Sequence, residues 1–344
     1  MGLLLDTALG KKCERTPIWL MRQAGRYMPE YRAVREKFSF LEMCMQYENA
    51  VEVTMQPIDI LDVDAAILFS DILTPLIPMG FDLQFYEGRG PVIHNPIEKA
   101  EDVDRIVIPD VTKGSDYVYD ALSEIRKKLS PEKDLIGFSG APFTVASYAI
   151  EGGSSKNYLK IKTFMYTQFE AYDKLMNKIA EMTCHYLLEQ YKAGAQIVQI
   201  FDSWGGVLSR EDYLKYSHPY TVKIIDFLKK ETGGKPVIHF VKGANAYFDS
   251  VADSKADVLG TDWTLPLNVA KDLCGNTKVL QGNLDPASLF SNPEILADKL
   301  ELIRSQSEGL KGHIFNLGHG IMPKTPVENV KFVVDTVKSW RRTI

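Results

Sequence analysis

The sequence predicts a (β/α)₈ barrel. Three observations carry that prediction. A short apolar run that ends in a polar residue and a turn, and then gives way to a helical stretch, recurs along the chain. The runs hold four to six apolar residues without alternation, as strands buried on both faces do in parallel sheets. The chain has 344 residues, enough for one large α/β barrel. A doubly wound parallel sheet is the competing arrangement.

Taken in order, the first run, 17–21, is the weakest and ends at Arg22-Gln23. Run 64–69 ends at Ser70-Asp71, 135–138 at Ser139-Gly140, and 197–201 at Asp202-Ser203. Run 237–241 ends at Lys242-Gly243, 258–261 at Asp262-Trp263, and 279–282 at Asn283-Leu284-Asp285-Pro286. Run 313–315 ends at Asn316-Leu317-Gly318-His319-Gly320. Helical spacing covers 166–191, with Gly194 as a stop, and 211–230. Thr325-Pro326 reads as the N-cap and first turn of the last helix. Residues 81–92 alternate loosely around Gly88-Arg89-Gly90 and read as an inserted hairpin. No repeat, low-complexity tract or linker divides the chain, so residues 1–344 read as a single domain.

Composition narrows the function classes. Charged residues are 25% and apolar residues 45% of the chain, and the formal net charge is −5. This excludes a disordered or collagen-like protein and argues against nucleic-acid binding. Cys13, Cys44, Cys184 and Cys274 form no C-x-x-C pair and match no zinc module, which suits free thiols in a reducing cytosol. Charges at Lys11, Lys12, Glu14 and Arg15 interrupt any secretory signal, and the most apolar stretch, 58–79, carries four aspartates. A cytoplasmic protein without a membrane span is the expectation.

In a barrel the active site sits where strands end. The candidates are then Arg22, Asp71, Ser203, Lys242, Asp262, Asn283 and His319. Phosphate-loop, dinucleotide, zinc-protease and nucleophile-elbow motifs are absent from the sequence. The pair Cys184-His185 sits mid-helix and reads as a packed face. Residues 11–37 hold eight basic groups against three acids in an acidic chain. Arginine forks bind carboxylates and phosphates, so this segment is expected to contribute to the cleft and to meet a polyanion. Arg32, Arg35 and Lys37 fit an ordinary solvated face. Arg22 and Arg26 flank Gln23-Ala24-Gly25, whose small residues let a ligand approach the backbone. Asp71 is either a cap for the next turn or a fixed negative charge for N–H groups or a cation. His319 lies between two glycines, which should expose its imidazole. Tyr148 and Ser203 are weaker candidates, since buried hydroxyls often bind backbone.

Several blocks resemble one family. Residues 17–27, PIWLMRQAGRY, followed by PEYR at 29–32, are similar to the N-terminal signature of the uroporphyrinogen decarboxylase family. Residues 137–144, GFSGAPFT, with Tyr148 and Glu151-Gly152-Gly153, resemble its second signature. Residues 69–73, 260–263, 281–286 and 316–320 are similar to further blocks in the same order. The resemblance implies a single-domain (β/α)₈ homodimer that removes four acetate carboxylates of uroporphyrinogen III as CO₂, giving coproporphyrinogen III, with no cofactor and no metal. It implies that Arg22, Gln23, Ala24, Gly25 and Arg26 bind substrate carboxylates. Asp71 would hold pyrrole N–H groups, and Tyr148, Ser203 and His319 would contact acetates and propionates. Asp71, Arg22 and Tyr148 are the implied catalytic set. Trp204 stands where some members have histidine, so this neighbour of Ser203 has no proton role here. The proton donor stays open between Arg22, a weak acid, His319, and a water held by Arg22.

Two other classes compete. Cobalamin-linked methyltransferases share the barrel but use zinc through an H-x-C pair, and His239-Phe240-Val241 lacks the cysteine. A non-catalytic porphyrin binder would need neither Asp71 nor Tyr148.

Overall fold

The computed structural model describes residues 2–341; the ends of the expected 1–344 domain, residues 1 and 342–344, lie outside the described residues. Seven strands form one curled, all-parallel sheet: β1 (Ala65–Ile67), β4 (Asp134–Gly140), β5 (Ile197–Asp202), β6 (Val237–Val241), β7 (Val258–Gly260), β8 (Val279–Leu284) and β9 (His313–Leu317). Between β1 and β4 lies the expected hairpin, β2 (Leu83–Tyr86) paired antiparallel with β3 (Gly90–Ile93). Sheet neighbours follow chain order without reversal. That excludes the doubly wound alternative, which needs a switch point where strand order turns back.

The expected first strand is not in this sheet as an element. Residues 17–21 form a single parallel bridge, Ile18 with Phe315. Phe315 donates to the Pro17 carbonyl at 2.8 Å, and Asp64 donates to the Ile18 carbonyl at 2.8 Å. The segment therefore touches both edge strands of the sheet. Its ladder is short because Pro17 has no N–H to give.

Strands β4, β5, β6, β8 and β9 are buried along their whole length, which explains their unbroken apolar runs. A buried polar chain crosses between elements: the Trp19 indole donates to Gln281 at 2.9 Å, and Gln281 donates to Gln199 at 3.0 Å.

Some helix expectations need correction. The stretch 166–191 is two helices, Leu159–Thr167 and Phe169–Lys192, which break at Gln168. The apolar stripe continues across that break, so periodicity does not show it. The stretch 211–230 is Arg210–Tyr216 and His218–Glu231, with Pro219 in the first turn of the second helix. A proline there cannot donate back into the preceding turn. The last helix is Val327–Ser339, capped at Pro326. Thr325 is not its cap, and its hydroxyl is buried without a hydrogen-bond partner among the described residues.

Candidate active site at the strand ends

Because all seven strands run the same way, their C-terminal ends share one side of the sheet. Arg22 follows the bridging segment 17–21. Its φ of 61° is in the left-handed region, uncommon for a residue with a Cβ. The turn is fixed by its neighbours. Asn316 accepts from Met21 N–H at 2.8 Å, and Gln23 accepts from Leu20 N–H at 3.0 Å while donating to the Ala65 carbonyl at 3.0 Å. Arg22 then lies across Gly320, where a Cβ would come within 2.3 Å of the Arg22 Cδ. A Cβ on Gly318 would come within 2.4 Å of the Trp263 backbone N. The glycines around His319 thus make room for Arg22 and Trp263. They do not bare the imidazole, which is half-buried.

Asp71 lies beyond β1. One carboxylate oxygen accepts from Leu73 N–H at 2.9 Å, so the capping role is real. Among the described residues it forms no ion pair. Its accessible surface is intermediate, yet protein surrounds it, as at the floor of a concavity. Burial raises its pKa; the Leu73 N–H and the Arg22 charge oppose that rise. Tyr148, on helix Pro142–Glu151, also feels these groups. Burial and then the Asp71 charge raise its pKa, against Trp204, Arg22 and Ser154. The Trp204 ring lies 6.1 Å from Tyr148 and 5.4 Å from Tyr158. Ser203 is half-buried directly after β5. Behind it, buried Asp202 accepts from Thr144 at 2.6 Å and Ser217 at 3.2 Å, and burial pushes its pKa up to about 6.

The imidazole of His319 completes the group. Its Nδ1 accepts from Gly320 N–H at 2.7 Å. Burial pushes its pKa down to about 4, helped by Arg22 and Lys242 and opposed by Asp262. It is therefore neutral at neutral pH, with the proton on Nε2. The Arg22 charge thus reaches Asp71, Tyr148 and His319 alike.

Other strand-end candidates are struts. Asp262 accepts from Gly243 N–H at 2.5 Å and Thr264 N–H at 2.8 Å. Asn283 lies inside β8 and donates to the Asp262 and Leu265 carbonyls at 3.0 and 2.7 Å. The Gln23 side chain is likewise spent on backbone. Among the described residues, the N–H groups of Ala24, Gly25 and Arg26 have no protein acceptor, so this stretch offers main-chain donors beside the exposed Arg26 side chain.

In the basic segment, Lys11 pairs with Asp6 and Arg15 with Asp64, while Arg32 and Arg35 bind backbone carbonyls. Sequence reasoning missed Cys44. It is fully buried and feels the Asp71 charge. Nothing in the sequence signals that proximity, since Cys44 lies on a separate helix, Phe40–Met45. A groove of about 880 Å³ on the outer helices is lined by Glu30, Glu48, Glu52, Asp59 and Glu124 against Lys128. Its charge would repel a polyanion.

Residues 1–340 match the sequence profile described as uroporphyrinogen decarboxylase (URO-D). The chain belongs to the uroporphyrinogen decarboxylase family. A uroporphyrinogen decarboxylase of Trichlorobacter lovleyi is 51% identical over 97% of both chains, and that of Geobacter sulfurreducens 50% identical over the same shares. A solved methyltransferase from Methanosarcina mazei has a TM-score of 0.79 over 97% of both chains at 17% identity, which speaks for the fold alone. Among the described residues, no three His, Cys, Asp or Glu side chains are grouped to hold a metal ion. No described helix is long and apolar enough to cross a membrane.

Proposed function

We propose that this chain decarboxylates the four acetate side chains of uroporphyrinogen III, giving coproporphyrinogen III and CO₂, as its family membership implies. The observation that carries the mechanism is the Asp71 carboxylate, enclosed, outside any ion pair and coupled to Arg22. Losing CO₂ from an acetate leaves an electron pair that needs a sink. Protonating the pyrrole α-carbon makes the ring cationic and lets it accept that pair, so the substrate supplies its own sink and no cofactor is needed. The exocyclic carbon then takes a proton to become a methyl group, and the α-carbon gives its proton back.

Asp71 is the group that would stabilise the cationic ring and accept the pyrrole N–H groups. Arg22, Arg26 and the free N–H groups of residues 24–26 would hold carboxylates. Tyr148, Ser203 and neutral His319, through Nε2–H, would donate to others. Neutral in the free protein, His319 ranks behind Arg22, or a water that Arg22 orients, as the donor.

We also propose that the 17–21 segment, bonded to Asp64 at the start of β1 and to β9, is the eighth strand that closes a (β/α)₈ barrel. The chain would act as one domain, in a homodimer, in the cytoplasm. Sedimentation equilibrium tests the dimer. The activity is tested by anaerobic incubation with uroporphyrinogen III and chromatographic counting of product carboxylates. Conversion from eight to four supports the reading, and unchanged octacarboxylate rejects it.

A further inference from the structure

We propose that Lys242 binds a substrate carboxylate on the wall of the cleft opposite Arg22, and so helps select a ring that carries carboxylates around its whole perimeter. This rests on the decarboxylase reading above.

β6 is the middle strand of seven, and the segment leading to Arg22 touches the two edges, β1 and β9. In a curled sheet the middle strand faces the meeting edges. Lys242 directly follows β6, so it stands across from Arg22. His319, after β9, feels the positive charge of both.

The backbone at Lys242 is held from two sides. Its carbonyl accepts from Gly206 N–H at 3.0 Å, and Asp262 accepts from the adjacent Gly243 N–H at 2.5 Å. The side chain is half-buried, with Nζ 5.7 Å above the Trp263 ring. Among the described residues this ammonium forms no ion pair. Asp262 gives its oxygens to Gly243 and Thr264. Among the described residues the Lys242 charge meets only the Trp263 ring, which leaves it open to an anion that a ligand brings. A macrocycle with eight peripheral carboxylates needs cations on both walls. Arg22 and Arg26 supply one, and Lys242 is placed to supply the other.

The test compares Lys242→Met and Lys242→Arg with the wild type, using anaerobic uroporphyrinogen III and circular dichroism to check folding. The expected result is a KM about tenfold higher in K242M, with kcat within about threefold, and a KM within about threefold of wild type in K242R. NMR titration of His319 checks that the Lys242 charge faces the cleft: the His319 pKa should rise in K242M, where one flanking cation is gone, and stay low in K242R. Wild-type KM in folded K242M overturns the assignment of Lys242 while leaving the decarboxylase reading standing. Absence of CO₂ release by the wild-type protein overturns that reading and this assignment with it.

Discussion

Arg15 and Asp64 are the same residue types at the same separation, 49 positions, as Arg22 and Asp71. The two pairs sit at opposite ends of the same two segments, and they are used differently. Before β1, Arg15 grips Asp64 through two hydrogen bonds of 2.8 and 2.6 Å, and Asp64 also accepts from Ile18 N–H at 2.8 Å. That pair is a fork-to-fork clamp on the segment that touches both sheet edges. Beyond β1, Asp71 senses the charge of Arg22, and among the described residues the two do not close into an ion pair. Arg22 lies over Gly320, and Asp71 turns one oxygen to Leu73. A charge satisfied by protein serves the fold. One held apart remains available to a ligand.

Substitutions at the two ends should separate these uses. Arg22→Met should have the largest effect, on the order of a hundredfold loss in turnover with an unchanged melting curve. It also removes the charge that opposes the burial of Asp71, so the acid limb of the pH–rate profile should move to higher pH. A loss of melting temperature in place of turnover would make Arg22 a second clamp.

Asp64→Asn should do the reverse. Leaving Arg15 half-buried without its carboxylate should cost on the order of 3 kcal/mol of stability, read by urea unfolding, with kcat per folded molecule kept. A fall in kcat at full folding would erase the division between the two ends.

His319→Gln tests the electrostatics between the walls. The pKa of about 4 lies below the unfolded value near 6.5, so the unfolded chain takes the proton first. This contribution is intact above pH 6.5 and is lost as pH falls toward 4. At pH 5 the loss amounts to about 2 kcal/mol, and the stability difference between pH 7 and 5 should shrink by that much in H319Q. An unchanged difference would mean that His319 is not held neutral.

Arg26→Ala should have the smallest effect, a KM about fivefold higher with kcat within twofold, because a carboxylate clamp remote from the reacting carbon contributes mostly uniform binding. A drop in kcat alone would place Arg26 in the transition state.

Much of the strand scaffold was legible in the sequence for a simple reason. Strands buried on both faces, such as β5 and β6, must be apolar throughout, and that leaves a plain mark. The 17–21 segment was harder to read because its proline shortens the ladder. The site was legible only in part, since polar residues at strand ends look alike whether they brace a turn or face a ligand. Asp71 and Asp262 share the same sequence setting, and only their hydrogen-bond partners separate them. Gln23 sits in the most recognisable block, yet its side chain works for the backbone. Contacts between distant segments, such as Arg22 on Gly320 or the field of Asp71 at Cys44, leave no local pattern to read.

The most direct test is Asp71→Asn, assayed beside Asp64→Asn and wild type for CO₂ release per folded molecule under anaerobic conditions. The substitution at 71 keeps the volume and removes the charge. Stabilisation of a cationic ring by the open carboxylate predicts that D71N melts like wild type and loses at least about a hundredfold in kcat, while D64N melts early and turns over normally once folded. Decarboxylation by D71N within a few-fold of wild type would contradict the account.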